Sequence, residues 1–455
     1  MNQPLSAVIC VLNSKYIHSS LAPWCLLAGT DVYCEKGITV KIIEGTINEQ
    51  IEKVAQRIVA QNPRVISFCC YIWNITATKQ LIRLVKNQLP NVIVILGGPE
   101  VSYHAGEILC EEPLVQYIVS GEGEKPFALL LNAIFKSEGV QNIPGVCYRE
   151  GEQSVISLPY ISDEEPPSPY TQKYFDALKG RIAYLETSRG CPYSCAFCLS
   201  GRCGGARFFD VERAKKELLL LANSGTQTVK LVDRTFNANR KRANELFGYI
   251  IEHYGTAIPK GVCFHFEIAG DILDDETINL LATAPTGAMQ LEIGLQSFNA
   301  ETLAAINRKT DVERLKRNIE RIVANANMHI HIDLIAGLPH ENFHSFAESF
   351  NTAYDLKPNM LQLGFLKLLY GAPMRDNPEE YPCEYEQKPP YEVTKTPWLS
   401  PKDLLSLHNT EDALERLYNS GRFRRTLEYL LKQGGQRPFD LFYQFGQYAA
   451  RKGTE

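Results

Sequence analysis

Three cysteines lie close together in the stretch TSRGCPYSCAFCLSG, residues 187–201. Their spacing, Cys191-x3-Cys195-x2-Cys198, differs from that of a structural zinc site, which usually offers paired Cys-x2-Cys knuckles and four ligands. A ferredoxin-like cluster also takes four cysteines. Three thiolates on one short loop suit a four-iron cubane in which one iron remains open to a ligand from outside the protein. We therefore predict a [4Fe-4S] cluster bound by Cys191, Cys195 and Cys198.

The elements around this loop form a strand–helix alternation. Strands are predicted at Ile182–Glu186, Thr228–Val232, Val262–Glu267, Met289–Leu295, His329–Ile335 and Leu361–Leu368, with helix-period segments between them. Six such repeats predict an incomplete parallel (β/α)6 barrel over residues 181–371. The cysteines then follow the first barrel strand, at the face where the active sites of such barrels lie.

The first 140 residues also alternate between continuously apolar strands and helices, which predicts a doubly wound, flavodoxin-like (Rossmann-type) domain over 1–140. Residues 141–180 interrupt this pattern. The sequence there predicts a hairpin turning at Glu150-Gly151, followed by an acidic, proline-rich linker. Residues 372–455 predict a small, mainly helical C-terminal domain, interpreted as a cap over the barrel mouth, with an interaction module as the alternative. The overall fold class is therefore α/β.

Composition excludes several other classes of protein. The net charge of −5 gives no electrostatic reason to expect a nucleic-acid partner. The longest apolar runs are too short to span a membrane, and the N-terminus predicts a first strand rather than a signal peptide. Scattered cysteines such as Cys10 and Cys69 are interpreted as buried core residues. We expect a cytoplasmic protein with reduced thiols.

The segment GCPYSCAFC resembles the signature of the radical S-adenosylmethionine (SAM) superfamily, including the aromatic Phe197 before the last cysteine. In that family, the amino and carboxylate groups of SAM chelate the open iron, which would explain the missing fourth cysteine. The alternatives are a structural metal knuckle and a chance clustering of thiols. Cys203 lies five residues further on and is interpreted as a neighbour, because the family motif ends at Cys198.

The same resemblance implies SAM contacts at other strand ends. They lie in VDRTFN (232–237), at the end of the third strand, in IGLQSFN (293–299) and in HIDLIAGLP (331–339). The residues concerned are Asp233, Phe236, Glu267, Gln296, Ile335 and Gly337. Each could instead serve barrel packing or a turn. The sequence does not single out a catalytic residue.

The first domain resembles the cobalamin-binding domain of the B12-binding radical SAM proteins. The supporting stretches are LNSKYIHSSLAP (12–23), GGPEVS (97–102) and SGEGE (120–124), each just after a strand. The implied cobalamin-binding residues are Ser67, Gly97, Gly98, Gly121 and Glu122. The Asp-x-His-x2-Gly motif of histidine-on cobalamin proteins is absent, so His18 is not expected to ligate cobalt. The alternative is a domain that no longer holds cobalamin.

The resemblance implies that a 5′-deoxyadenosyl radical activates an unreactive carbon and that methylcobalamin then methylates it. The substrate would be a small, natural-product-like molecule, and the reductant a flavodoxin or ferredoxin. One alternative keeps the radical chemistry as an oxidation or rearrangement without methyl transfer. A second is a non-catalytic cobalamin or redox sensor. Methylthiolation of transfer RNA would need a second cysteine trio and a terminal RNA-binding barrel, and the sequence has neither.

Overall fold

The protein is represented by a computed structural model that describes residues 4–453, with the exception of the side chain of Cys203. The chain forms two compact units. The N-terminal unit comprises residues up to 184 together with 224–226, and the C-terminal unit comprises residues 185–223 and 227 onwards. The position of Cys203 relative to the other thiols therefore lies outside the described residues.

A seven-stranded sheet forms the centre of the N-terminal unit. Its strands are β1 (Leu5–Asn13), β2 (Ile38–Thr46), β3 (Val65–Cys69), β4 (Ile93–Gly97), β5 (Tyr117–Val119), β6 (Val146–Glu150) and β7 (Gln153–Val155). Their order is β2-β1-β3-β4-β5-β6-β7. Strands β1 to β5 are parallel, whereas β6 pairs antiparallel with both β5 and β7. The predicted flavodoxin-like sheet is thus confirmed.

Helices cover both faces of this sheet, which explains its continuously apolar strands. They are α1 (Ala22–Tyr33), α2 (Ile51–Val59), α3 (Ile75–Gln88), α4 (Pro99–Ser102), α5 (Ala105–Glu111), α6 (Glu124–Lys136) and α7 (Gln172–Leu178). Side chains of α2, α3 and α5 pack on one face, and those of α1 and α6 pack on the other. Burial raises the pKa of the Cys10 and Cys69 thiols, which lie on opposite faces within this core.

The segment predicted as hairpin and linker adds structure to the N-terminal unit. The β6–β7 hairpin extends the first sheet by pairing with β5, and helix α7 follows within the same unit. The physical reason is that β5 would otherwise present unpaired backbone groups along the edge of the sheet.

A second sheet has the strand order β15-β14-β13-β12-β11-β8. These strands are β8 (Ala183–Leu185), β11 (Thr228–Leu231), β12 (Cys263–Ile268), β13 (Met289–Gln296), β14 (His329–Ala336) and β15 (Met360–Phe365). Chain order and spatial order agree, as in a barrel opened along one side. Each pair of neighbouring strands from β11 to β15 is parallel. The predicted partial (β/α)6 barrel is confirmed.

Short polar side chains start the helices that connect these strands. The helices are α8 (Val211–Ala222), α9 (Arg240–His253), α10 (Asp275–Ala282), α11 (Ala300–Ala305), α12 (Val312–Ala324) and α13 (Phe343–Asp355). Each begins after an Asp or Asn whose side chain accepts a hydrogen bond from the first turn, namely Asp210, Asn239, Asp274, Asn299, Asp311 and Asn342. Such a cap contributes about 1 kcal/mol. The short strands β9 (Ser188–Arg189) and β10 (Arg207–Phe208) flank the cysteine loop.

The C-terminal region packs on the outside and the open edge of the second sheet. It contains α14 (Pro373–Asp376), β16 (Glu384–Tyr385), β17 (Val393–Lys395), α15 (Pro401–Leu414), α16 (Arg424–Gly434) and α17 (Pro438–Lys452). The Asn419 side chain hydrogen-bonds both the N–H and the C=O of Leu361 on the edge strand β15. Phe439 of α17 packs against Phe350 of α13. These contacts satisfy backbone groups that an open barrel edge leaves unpaired.

None of the helices that the structure describes combines the length and the apolar composition needed to cross a membrane.

Candidate functional site

The cysteine loop is fixed to the C-terminal unit at several points. The Ala196 N–H donates to the Ile306 carbonyl at 2.9 Å, and the Met374 N–H donates to the Ala196 carbonyl at 2.9 Å. The Asn307 side chain donates to the Ser194 carbonyl at 3.1 Å. Contacts from Ile306 and Asn307, which follow α11, and from Met374 of α14 therefore set the position of this loop without using any of its thiols.

Each thiol of the trio has a polar neighbour. The Cys191 sulfur lies 3.4 Å from the Thr235 hydroxyl, and the Cys198 sulfur accepts from the Ser200 N–H at 3.4 Å. Cys195 is buried at 7% exposure. The loop therefore offers three sulfur atoms, which fits a cluster that needs three thiolate ligands.

Arg308 is a residue that the sequence reasoning missed. Its guanidinium lies 3.7 Å from the Cys195 sulfur and also donates to the Gly294 carbonyl on β13. Burial raises the pKa of the Cys195 thiol, while the Arg308 charge acts in the opposite direction. A cation beside a thiolate favours its charged form. The basic segment NRK directly after α11 was the sequence signal that could have indicated this residue.

Asp233 anchors the segment that leads into the cysteine loop. Its carboxylate accepts from the Thr187 N–H at 3.0 Å, from the Thr187 hydroxyl at 2.7 Å and from the Ser188 hydroxyl at 2.6 Å. The residue is 1% exposed, and burial raises its pKa. Both carboxylate oxygens are engaged by the chain itself, so the geometry favours a positioning role.

Phe236 and Glu267 lie in different surroundings. Phe236 is 1% exposed and packs against Phe247 and Phe266, with ring centroids 5.1 Å and 4.6 Å away. It is therefore part of the barrel core. The Glu267 carboxylate on β12 lies 3.4 Å from the Lys230 ammonium, and burial raises the pKa of this carboxyl. Glu267 is half-buried on the polar face of the sheet.

Gln296, Ile335 and Gly337 lie at the carboxyl ends of β13 and β14. Gln296 has φ +75° beside an irregularity in the pairing of these strands. Its buried Oε1 atom has no hydrogen-bond partner among the described residues. Ile335 is half-buried and Gly337 has φ +95°. The structure thus brings these three residues to the same sheet end, where Gln296 has an unused acceptor.

Glu341 is a buried carboxyl just beyond β14, and the sequence reasoning did not single it out. Its Oε1 atom accepts from the Ser297 hydroxyl at 2.6 Å and from the Ser349 hydroxyl at 3.0 Å. The Ser349 hydroxyl in turn accepts from the Phe298 N–H at 3.0 Å. Burial raises the pKa of Glu341 to about 7. This carboxyl therefore links the loop after β13 to helix α13.

The buried Glu341 carboxyl is expected to make the stability of the folded protein depend on pH. Its pKa of about 7 in the folded protein exceeds the usual glutamate value of 4.5, so the folded state holds the proton more tightly. Stability should therefore fall as pH rises from about 4.5 to about 7. Glu341→Gln should remove a penalty of about 3 kcal/mol at pH 8. Anaerobic denaturation between pH 5 and 8 measures the slope, with the exposed Glu320→Gln as control. An unchanged slope in Glu341→Gln would contradict the assignment.

The paired glycines after β4 fit closely against the chain itself. Gly98 has φ +110°, and a Cβ there would lie only 2.4 Å from the Cys70 carbonyl oxygen. At Gly97 the nearest atom to such a Cβ is the Val119 carbonyl oxygen, at 3.4 Å. The packing of β3 against the β4 loop thus requires glycine at position 98 before any ligand is considered.

The other cobalamin-related residues lie on or beside the same sheet. Gly121 has φ +89°, and its Cβ position is 2.3 Å from the Tyr160 carbonyl oxygen. Glu122 accepts from the Ser162 N–H at 3.4 Å. Ser67 is buried in the middle of β3. The structure brings Gly97, Gly98, Gly121 and Glu122 to the carboxyl edge of the sheet and places Ser67 within it.

Exposed aromatic and apolar side chains occur at this carboxyl edge, and sequence reasoning missed them. Trp73 after β3 is 47% exposed and stacks on Tyr71 with ring centroids 4.4 Å apart. Tyr16 and Ile17 after β1 are 66% and 47% exposed. The neighbouring His18 ring lies 2.8 Å from the Tyr184 hydroxyl. Large apolar surfaces at a sheet's ligand-binding edge indicate a bulky, partly apolar ligand.

Three protein families match successive segments of the chain. The B12 binding domain family matches residues 11–131, and the radical SAM superfamily matches residues 185–353. Residues 379–455 match a family described as protein of unknown function, DUF4080.

Two curated relatives have similar sequences. The cobalamin-dependent radical SAM methyltransferase TokK of Streptomyces tokunonensis is 29% identical over 350 residues, which cover 72% of this chain and 50% of TokK. The 2-(S-pantetheinyl)-carbapenam-3-carboxylate methyltransferase of Streptantibioticus cattleyicolor is 29% identical over 303 residues, covering 63% of this chain and 44% of that protein. The chain therefore spans about half the length of these relatives.

A solved structure shows the same fold. The cobalamin-dependent SAM radical enzyme OxsB, with aqua-cobalamin and SAM bound, superimposes with a TM-score of 0.73 at 15% identity. The match covers 97% of this chain and 72% of OxsB. The chain thus combines a segment that matches the B12 binding domain family with a segment that matches the radical SAM superfamily, and its cysteine trio follows the first barrel strand.

Proposed function

We propose that the protein is a cobalamin-dependent radical SAM enzyme that methylates an unactivated carbon of a small molecule. The observation that carries this proposal is the rigid loop that presents Cys191, Cys195 and Cys198 after the first barrel strand. The two family matches and the methyltransferase relatives support it. When bound, a [4Fe-4S] cluster with SAM supplies a 5′-deoxyadenosyl radical, and cobalamin supplies the methyl group.

The residues of the C-terminal unit would hold and orient these groups. The trio of thiols would ligate three irons, with Arg308 offsetting part of the negative charge that the thiolates bring. Asp233 would keep the segment before the loop in place. The unpaired Gln296 acceptor, together with Ile335 and Gly337, would contact the nucleoside part of SAM.

The N-terminal unit would bind cobalamin at the carboxyl edge of its sheet. Gly97 ends β4, Gly121 and Glu122 follow β5, and Trp73 and Tyr16 offer apolar contact area. We propose that cobalt is not ligated by His18, whose Nδ1 atom already lies 2.8 Å from the Tyr184 hydroxyl. Ser67, buried in β3, would contact only a part of the ligand that enters the sheet core.

We also propose a reducing, cytoplasmic environment and a flavodoxin or ferredoxin as the electron donor. No disulfide joins the twelve cysteines whose side chains the structure describes. Free thiols are typical of reducing compartments. The net charge of −5 supports a substrate other than a nucleic acid.

A labelled-methyl experiment tests the proposed reaction. The anaerobically reconstituted full-length chain, loaded with cobalamin, is supplied with a reductant and SAM that carries a deuterated methyl group. Candidate small molecules, including the carbapenam class acted on by a relative, are then screened by mass spectrometry. We expect 5′-deoxyadenosine together with a product that carries the label. Cleavage of SAM with an altered but unlabelled product would favour an oxidation or rearrangement instead.

A further inference from the structure

The polar face of the second sheet carries a cluster of ionisable side chains that the proposed cofactors do not use. In β13 and β14, Glu292 lies opposite His331, and Gly294 lies opposite Asp333. Residues directly opposite each other, and residues two apart on one strand, share a face of the sheet. Glu292, His331 and Asp333 therefore project from the same face.

The donor atoms of these three side chains converge. One ligand atom from each of Glu292, His331 and Asp333 lies within 4.8 Å of the other two. The His331 Nε2 atom is 2.8 Å from the Asp333 Oδ1 atom. A second close pair on the neighbouring strands joins the His265 Nε2 atom to a Glu292 oxygen at 2.8 Å.

These short contacts lack hydrogen-bond geometry. His331 is 94% buried, yet its Nε2 atom has no hydrogen-bond partner among the described residues, and neither does Asp333 Oδ1. Burying unsatisfied polar atoms is costly. Two donor atoms bound about 2.1 Å from one ion at right angles lie about 3 Å apart, close to the distance seen here. The His331 nitrogen is thus close to the Asp333 oxygen without a hydrogen bond between them, an arrangement that a shared cation would stabilise.

We infer that Glu292, His331 and Asp333 form a binding site for a divalent cation. One imidazole and two carboxylates are ligands that suit Mn²⁺ and Zn²⁺. Three protein ligands leave coordination positions for water or for an anionic group of a bound molecule. The Lys230 ammonium, 3.0 Å from a Glu292 oxygen, offsets part of the negative charge while the ion is absent.

The three side chains are not among the residues proposed to hold the cluster or SAM, although Asp333 lies opposite Gly294, whose carbonyl accepts from Arg308. Glu292 lies four residues before Gln296, where β13 ends, which corresponds to about 13 Å along the strand. The thiol-bound cluster belongs instead to the loop at the carboxyl end of the sheet. The inference therefore stands or falls independently of the proposed methyl transfer.

Manganese binding to the reconstituted full-length chain tests the site. Mn²⁺ is the suitable probe because it prefers carboxylate oxygens, so thiols compete weakly for it. The loss of the free Mn²⁺ electron paramagnetic resonance signal during titration gives the stoichiometry and the affinity. We expect one saturable equivalent. His331→Ala and the isosteric Asp333→Asn should each weaken binding at least about 10-fold, as expected for removal of a metal contact.

Two controls separate this site from other sources of binding. His329→Ala removes an exposed imidazole two residues away on β14 and should leave the affinity unchanged. Cys195→Ala should likewise retain the manganese site. The inference is wrong if the unmodified chain shows no saturable binding. It is also wrong if the folded Asp333→Asn variant binds as tightly, because the cluster is then only a polar network among side chains.

Discussion

Replacing Cys195 with alanine is expected to abolish SAM cleavage. The thiol is buried, lies beside Arg308 and belongs to a loop that is fixed by its backbone, so it holds a defined position within the trio. A cubane held by only two thiolates should lose iron. Iron and sulfide content, absorbance near 400 nm and the yield of 5′-deoxyadenosine measure the effect.

The control for this prediction is Cys110→Ala. Cys110 is an exposed free thiol on α5, and its removal should leave iron content and SAM cleavage unchanged. The fold should survive Cys195→Ala, because the loop is anchored by the Ala196 backbone. Retained cobalamin binding by the Cys195→Ala variant would show independently that the variant is folded. Full iron content in Cys195→Ala would refute the assignment of this thiol as a ligand.

Gly98→Ala should strongly destabilise the N-terminal unit and remove its cobalamin binding. The new Cβ would lie 2.4 Å from the Cys70 carbonyl oxygen in a backbone conformation of φ +110°. Cys70 cannot move freely, since its N–H donates to the Gly97 carbonyl at 2.7 Å. Left-handed strain and overpacking together predict a loss of about 3 kcal/mol or more. Thermal unfolding and cobalamin absorbance measure both effects.

Gly151→Ala provides the matched control. Gly151 lies at the turn of the β6–β7 hairpin with φ +63°, and a Cβ there meets no atom within 4 Å. This variant should lose only about 1 kcal/mol, from the left-handed conformation alone, and should still bind cobalamin. If Gly98→Ala and Gly151→Ala lose the same stability, the close approach to Cys70 does not contribute to the loss.

Hydrophobic periodicity was sufficient to predict most of the strands. In the barrel, the predicted ends of β11, β12, β13 and β14 differ from those in the structure by at most one residue. Short elements were missed, including α4, α5 and α11. A helix of four to seven residues shows too few turns to produce a recognisable apolar period.

Some residues of the candidate site could also be predicted from the sequence, and others could not. Cys191, Cys195 and Cys198 could be predicted because their relation is local in sequence. Arg308 could not, since its contact with Cys195 joins residues 113 positions apart. Likewise, the family resemblance implied that Asp233 contacts SAM, and only the structure shows that its carboxylate accepts hydrogen bonds from Thr187 and Ser188.

The sequence by itself determined the alternation of strands and helices and the spacing of the cysteines. Each of these depends on interactions between residues close in the chain. Only the tertiary structure decided which polar side chains converge, as at Glu292, His331 and Asp333. It also showed that Gly98 is required by a contact with Cys70. Strand pairing and loop packing bring together residues that no local pattern connects, and the chemistry of a site depends on those distances.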